Sequence, residues 1–351
     1  MTNDEKYMMR AIELAKMGEG LTRPNPPVGA VLVLEDEIIA EGWHRKAGEN
    51  HAERDCLKKI PPMPVNLKNA TLYVTLEPCS TQGRTPPCTD LILEKRIGRV
   101  VISVIDLNPV HAGRGLKLLE EAGVEVVSGV CEEPGRELIA PFEKMMTTGL
   151  PYVTLKLAST LDGKIADSQG NSKWITGPEA RERVQEMRRR ADAIMVGAAT
   201  VRADNPSLLP RPSQARKPFR VIIGSNIPAD SKILTDEAAD QTLVLNVAGH
   251  RPHCPQATRE IESLKSGLEW LAKEYGILHV FCEGGGQLAA RLIEAGLVDE
   301  FVFFLAPKLM GADGLPNFGK TGGLMANVND LKFQSVERVG NDILIKAKME
   351  S

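Results

Sequence analysis

Thr71-Leu72-Tyr73-Val74-Thr75-Leu76-Glu77-Pro78-Cys79 is the stretch on which the fold of the first half of the chain turns. Ala70 to Leu76 is a short apolar run rich in β-branched and aromatic residues, which predicts a strand. Helical patterns flank it, one from His51 to Lys59 and one from Thr89 to Arg96. The alternation continues outward: Arg99 to Val104 reads as a strand, Leu116 to Ala122 as a helix stopped by Gly123, and Glu125 to Val127 as a last short strand. Upstream, apolar residues at helical spacing from Asp4 to Met17 end at Gly18 and Gly20, and Val28 to Ile39 turns at Glu35-Asp36-Glu37. Strands alternating with helices predict an α/β sandwich with largely parallel strands.

The chemistry lies at the ends of these elements. His51-Ala52-Glu53, Pro78-Cys79 and Cys88 give the pattern H-x-E…P-C-x8-C. One imidazole and two thiolates supply the protein ligands of a catalytic zinc and leave a fourth position to water. The ion lowers the pKa of that water, so that hydroxide exists near neutral pH. Glu53, close to the ligand His51, can then take the water proton and return it to a leaving amine. Cys88 precedes a helix, whose N–H groups favour a thiolate there. Spacing leaves two alternatives open: a closed structural zinc completed by His44 or Cys56, and buried thiols with no metal. The carboxylate beside the ligand favours the catalytic reading, which is the arrangement of zinc nucleobase deaminases.

The pattern restarts after Met145 to Pro151, which predicts domains of 1–148 and 149–351. The second half reads as strands at 152–157, 193–196, 220–223, 242–246 and 277–282, with helices at 178–190, 267–275 and 287–295. Two closing strands flank Gly340-Asn341-Asp342, and Leu209 to Lys217 reads as a loop. Glu283-Gly284-Gly285-Gly286 between a strand and a helix suits a phosphate, although plain chain reversal uses such glycines as well. No G-x-G-x-x-G opens a βαβ unit, which disfavours a Rossmann domain. Arg189 and Arg190 read as a solvated helix face. His250, His253 and Cys254, in a proline-containing loop, do not make a second metal site.

At 351 residues the chain can bury two cores, and its 42% apolar and 25% charged residues are those of ordinary globular protein. No stretch has the apolar length of a membrane span, and the first residues read as an amphipathic helix rather than a signal peptide. Six cysteines then read as reduced thiols or metal ligands in a cytoplasmic protein. A net charge of −3 and few aromatics speak for a small-molecule substrate rather than nucleic acid, and the sequence leaves a homo-oligomer open.

Arg23-Pro24-Asn25-Pro26-Pro27-Val28-Gly29, Gly42-Trp43-His44, His51-Ala52-Glu53, Leu76 to Cys79 and Gly83 to Cys88 together resemble the deaminase half of the RibD family of riboflavin-biosynthesis enzymes. Lys156-Leu157-Ala158, Leu161-Asp162-Gly163-Lys164, Ser172 to Thr176, Thr200 to Pro206 and the glycine turn resemble its reductase half. The resemblance implies a cytidine-deaminase-like α/β/α sandwich followed by a dihydrofolate-reductase-like α/β domain, with one Zn2+ and NADPH as cofactors. It implies zinc-hydroxide deamination of the diamino ribosylaminopyrimidinone 5′-phosphate, then NADPH-dependent reduction of the ribosyl side chain to ribityl. By the same resemblance Asn25, His44, Arg84, Asp106 and Asn108 meet the first substrate. Ala158, Trp174, Thr200, Asp204, Ser225 and the run Gly285, Gly286, Gln287, Leu288, Ala289, Ala290, Arg291 would line the NADPH site. Lys156, Ser172, Arg188, Leu208, Arg211 and Glu283 would meet the second substrate. The chain departs from the family pattern at Thr81-Gln82 and at Leu107.

Overall fold

The strand read at Ala70 to Leu76 forms over Thr71–Leu76, and it lies in the middle of a five-stranded sheet. The structure, a computed structural model, describes residues 1–61, 66–82, 86–108, 112–212, 216–247, 257–319 and 329–350. It divides into two compact units, Met1–Gly149 and Leu150–Ser351.

The first unit runs α1 (Asn3–Lys16), β1 (Gly29–Leu34), β2 (Glu37–Trp43), α2 (Ala52–Leu57), β3 (Thr71–Leu76), α3 (Cys88–Glu94) and β4 (Arg99–Val104). It continues with α4 (Arg114–Glu121), β5 (Glu125–Ser128) and α5 (Glu132–Thr148). The sheet order is β2-β1-β3-β4-β5. β3, β4 and β5 are parallel, but β1 runs antiparallel to both β2 and β3, so the expected largely parallel sheet is corrected to a mixed one. The tight turn at Glu35-Asp36, both at positive φ, the hand that folds a right-twisted hairpin back on itself, sets β2 against β1, and the chain returns through α2 so that β3 pairs with the other edge of β1, also antiparallel.

Alternate strand residues face opposite layers. Leu32, Leu72, Val100 and Ile102 pack with α2, α3 and α4, whereas Val31, Tyr73 and Val101 pack with α1. Helices thus cover both faces and the unit is an α/β/α sandwich. α5 is the element the sequence reading left out, because Pro134, Gly135 and Pro141 lower its helix propensity. Leu138 and Ile139 bury against Ala15, Leu76 and Val104, and that packing outweighs the propensity.

The second unit runs β6 (Tyr152–Thr160), β7 (Lys164–Ala166), α6 (Pro178–Arg190), β8 (Ala193–Gly197), α7 (Ala198–Asp204), β9 (Phe219–Ile223), α8 (Lys232–Thr235) and β10 (Thr242–Val247). Then come β11 (Ala257–Ile261), α9 (Leu264–Tyr275), β12 (His279–Cys282), α10 (Gly286–Glu294) and β13 (Glu300–Ala306). β14 (Leu315–Pro316), β15 (Leu331–Val339) and β16 (Asp342–Met349) close it. The main sheet has the order β11-β10-β9-β8-β12-β6-β13-β16-β15, parallel from β11 to β13 and antiparallel at β16 and β15. β13, unassigned from sequence, buries Phe301, Val302, Phe304 and Ala306. A strand covered on both faces is a continuous apolar run and carries no clean period of two.

Two features of this sheet place a site. β8 leads through α7 to β9 on one side, and its neighbour β12 leads through α10 to β13 on the other. Connections that part in this way leave a crevice at the carboxyl ends of the two strands, the usual ligand position in such sheets. Toward the opposite, amino end of β9, Arg220 is fully buried and donates to Asp236 at 2.7 Å, to the Ile233 carbonyl at 2.9 Å and to the Ser207 carbonyl at 3.1 Å. It ties the segments on either side of β9 to the sheet. Arg220→Ala leaves Asp236 without its counter-charge and is expected to cost about 3–5 kcal/mol, read as a fall in the denaturation midpoint of the second unit.

Candidate active sites

His51 caps the N-terminus of α2, Cys79 follows β3, and Cys88 opens α3. His51 Nδ1 lies 3.5 Å from Cys79 Sγ and 3.5 Å from Cys88 Sγ. Tetrahedral zinc, with sulfur at about 2.3 Å and nitrogen at about 2.0 Å, sets neighbouring S and N ligands about 3.5 Å apart, so these side chains fit the ion without rearrangement. Among the described residues this is the one cluster with metal-ligand geometry.

Both candidates for a fourth ligand are otherwise engaged. His44 donates from Nδ1 to the Asn50 carbonyl at 2.9 Å, which leaves Nε2 to accept from Asn25 Nδ2 at 3.0 Å. Burial keeps this imidazole neutral by pushing its pKa down. Cys56 is fully buried in the apolar layer under α2, and burial pushes its thiol up to about 12. The cluster therefore has three protein ligands and one open position, the form of a catalytic rather than a structural site.

Glu53, on the first turn of α2, is 4% exposed and lies within hydrogen-bonding reach of Cys88. Burial, with the Cys79 thiolate adding repulsion, raises its carboxyl to about 7. Zinc would take both cysteines as thiolates; between the two side chains themselves the thiolate is favoured at Cys79. The Cys88 thiol donates to Cys79 and holds Cys79 down at about 4, with His51 adding to the effect; the same bond pushes Cys88 up. The N–H at the start of α3 points at Cys79 Sγ, 3.4 Å away, so the helix end stabilises Cys79 instead.

α2 can reach this position because of Gly42 in β2. A Cβ there would lie 2.2 Å from the Cys56 nitrogen and 2.5 Å from the Ala52 carbonyl, both backbone atoms of α2. Gly42→Ala must push α2 off the sheet and carry Glu53 with it. A displacement near 1 Å costs about 10²-fold in rate. Ammonia release is expected to fall by that order while the reductase rate of the same preparation holds.

Of the other predicted deaminase contacts, Asn25 and His44 are brought together, and His44 stacks edge-on against His51 with centroids 5.4 Å apart. Asp106 is buried beyond β4 and accepts from the Asn108 N–H at 2.8 Å. Arg84, together with His250, His253 and Cys254, lies outside the described residues. Sequence reasoning missed Glu77. It is 5% exposed and accepts from the N–H groups of Asp106, Gly113 and Gly115. The available signal was a carboxylate at the end of a buried strand.

In the second unit the predicted residues gather at the carboxyl ends of β6, β8, β9 and β12. Gly285 caps α10, and no side chain caps the free N–H groups of its first turn. A Cβ on Gly285 would meet only Thr200 Oγ1, at 3.6 Å, so a cradle lies open between α7 and α10 that suits the diphosphate of a dinucleotide. Asp204 ends α7 and accepts from Ser172 Oγ at 3.5 Å. Trp174 is 63% exposed, with the Arg181 guanidinium 4.5 Å from its ring. Ser225 follows β9, its carbonyl accepting from Arg202 at 3.1 Å. Ala158 is part-buried on β6, and Gln287 and Arg291 are exposed on α10. Leu288 and Ala289 face the core, so only their backbone can meet a ligand, and Ala290 is buried as well.

Glu283 follows β12 and takes a bidentate grip from Arg188 at 2.6 and 3.0 Å, with Lys156 Nζ 3.9 Å away. Burial would raise the carboxyl, but Arg188 and then Lys156 outweigh it and hold it below its ordinary value. Leu208 is buried at a positive φ, and Arg211 is exposed with its N–H on Gln185. Arg189, expected to be solvated, donates to the Arg211 carbonyl at 2.9 Å.

Fold and ligand set together define the class: a zinc-type deaminase unit joined to a reductase-type α/β unit. Residues 1–104 match the family model of the cytidine and deoxycytidylate deaminase zinc-binding region, and residues 151–345 match that of the RibD C-terminal domain. The chain belongs to the RibD family, the bifunctional deaminases and reductases of riboflavin biosynthesis. It is 42% identical to the riboflavin biosynthesis protein RibD of Bacillus amyloliquefaciens, over 98% of this chain and 96% of that one. With RibD of Aquifex aeolicus the identity is 41%, over 97% of each. Among solved structures, a diaminohydroxyphosphoribosylaminopyrimidine deaminase/5-amino-6-(5-phosphoribosylamino)uracil reductase from Thermotoga maritima superposes with a TM-score of 0.92 at 38% identity, covering 99% of each chain. Acinetobacter baumannii RibD gives 0.90 at 38%, again over 99% of each. No helix among the described residues is long and apolar enough to cross a membrane.

Proposed function

We propose that the first domain, 1–148, deaminates the diamino ribosylaminopyrimidinone phosphate and that the second, 149–351, reduces the resulting ribosylaminouracil phosphate to its ribityl form with NADPH. The observation that carries this reading is the cluster of His51, Cys79 and Cys88 with one position open and a buried carboxyl, Glu53, against it. Zinc, when bound, would supply the Lewis acidity that activates water. Glu53, with a carboxyl near the working pH, takes the proton from that water and delivers it to the departing amine. Overall, water replaces the amino group as a carbonyl oxygen and ammonia leaves. His44, fixed as the Nδ1–H tautomer, holds the amide of Asn25, and Asn25 presents its remaining hydrogen-bonding groups to the pyrimidine that the pair meets. Arg84, Asp106 and Asn108 meet the ribose phosphate.

In the second domain NADPH, when bound, supplies the hydride. The uncapped first turn of α10, with Thr200 opposite, receives its diphosphate, and Ala158, Trp174, Asp204 and Ser225 line the rest of its path. Lys156, Arg188 and Glu283 form a part-buried ionic group that orients the sugar, while Ser172, Leu208 and Arg211 close on its remaining parts. The partners are small molecules, with neither nucleic acid nor membrane required, and the setting is cytoplasmic. The test is a coupled assay that follows ammonia and NADPH loss on the same substrate. Ammonia release that depends on zinc, with NADPH consumed only after deamination, is expected. Zinc-free chain that still deaminates would overturn the reading.

A further inference from the structure

Glu77 stands two residues before the ligand Cys79, and its own N–H continues the pairing of β3 with β4 by donating to the Val104 carbonyl at 3.0 Å. Its carboxylate reaches across to the connection between β4 and α4 and holds that connection at both ends. Oε2 accepts from the Asp106 N–H at 3.2 Å and from the Gly113 N–H at 2.9 Å; Oε1 accepts from the Gly115 N–H at 2.9 Å. Gly113 caps α4 with no side-chain cap of its own, so Glu77 neutralises that helix end from another strand. The approach is close enough to need glycine: a Cβ on Gly115 would lie 2.3 Å from the Pro78 carbonyl. Asp106 in turn receives the Asn108 N–H.

We propose that Glu77 is a positioning residue for the deaminase. It sets the register of the segment bearing Asp106 and Asn108 against the strand end that delivers Cys79, and so fixes the distance between the ribose phosphate contacts and the metal. The inference rests on the reading that Asp106 and Asn108 meet the substrate. A carboxylate is needed because it can only accept, and three N–H donors converge on it. Glutamine has the same shape but turns an NH2 toward one of those donors.

The test is Glu77→Gln in the full-length, zinc-loaded chain, beside Asn108→Ala and the double variant. Losing a charge-assisted bond of this kind predicts a rise of about tenfold or more in KM for the diaminopyrimidine phosphate, with kcat within about threefold. Zinc content and the reductase rate on deaminated substrate should be unchanged. On the Asn108→Ala background, Glu77→Gln should add less than it does alone, because part of its effect runs through that contact. If Asn108→Ala raises KM but Glu77→Gln does not, or if Glu77→Gln strips zinc or lowers kcat alone, the positioning role is wrong while the substrate reading stands. If neither Asn108→Ala nor Asp106→Ala alters KM, both fall. Should Glu77→Gln fail to fold, Gly115→Ala wedges a methyl under α4 with the carboxylate intact and must produce the same KM-selective change; an unchanged KM there overturns the proposal.

Discussion

Glu53→Gln is expected to lower the deamination rate by about 10²–10⁴-fold, the range that general acid–base catalysis contributes. The three ligand side chains are untouched, so zinc stoichiometry should be that of the parent chain. Nor should the fold suffer. Glutamine has the shape of glutamic acid, and a carboxyl raised to about 7 by burial is about half neutral near pH 7, so the fold does not depend on its full charge. The reductase unit has its own core and its own residues, so NADPH oxidation on deaminated substrate should continue at the parent rate. Ammonia release, zinc content and NADPH oxidation measured on one preparation separate loss of the proton carrier from loss of the metal. Deamination within about threefold of the parent would remove Glu53 from the mechanism.

The metal cluster was legible because its spacing is tied to chain punctuation: a histidine and two cysteines at the ends of elements whose periodicity is plain. Sequence could not decide whether His44 or Cys56 closes the site. That depended on Asn50 and Asn25 engaging both nitrogens of His44, and on Cys56 turning into the apolar layer. The sandwich was legible from alternation and the β1–β2 hairpin from its turn at Glu35-Asp36-Glu37, but the antiparallel pairing of β1 with β3 was not, since it depends on which strand β3 joins after α2. α5 and β13 escaped for opposite reasons. One carries prolines that packing overrides, and the other is buried on both faces and so lacks a period. Glu77 lies beyond any local pattern, because its three donors come from residues about thirty to forty positions later, brought close by the pairing of β3 with β4.

The largest effect in the second unit is expected at Glu283. Arg188 and Lys156 are both part-buried against it, their side chains 15% and 16% exposed, so Glu283→Gln leaves two largely desolvated cations with no counter-charge. Breaking a buried pair in this way costs about 3–5 kcal/mol, a large share of the 5–15 kcal/mol that ordinary domains possess. Reductase activity should be lost and the second unit should melt early, while ammonia release persists. The sign of the pH response identifies the cause. Burial already holds Lys156 below its ordinary pKa, with Glu283 opposing that shift and Arg188 adding to it. Removing Glu283 lowers it further. Between the folded and unfolded pKa of this lysine the unfolded chain binds more protons, so stability must rise with pH through that window. Glu283→Gln should therefore recover part of its lost melting temperature as pH is raised from neutrality toward about 10, near the free lysine value, and the parent chain should recover less. Adding Lys156→Met to Glu283→Gln removes the titrating group and should flatten the response. A double variant that still gains stability on alkalinisation would place the effect elsewhere.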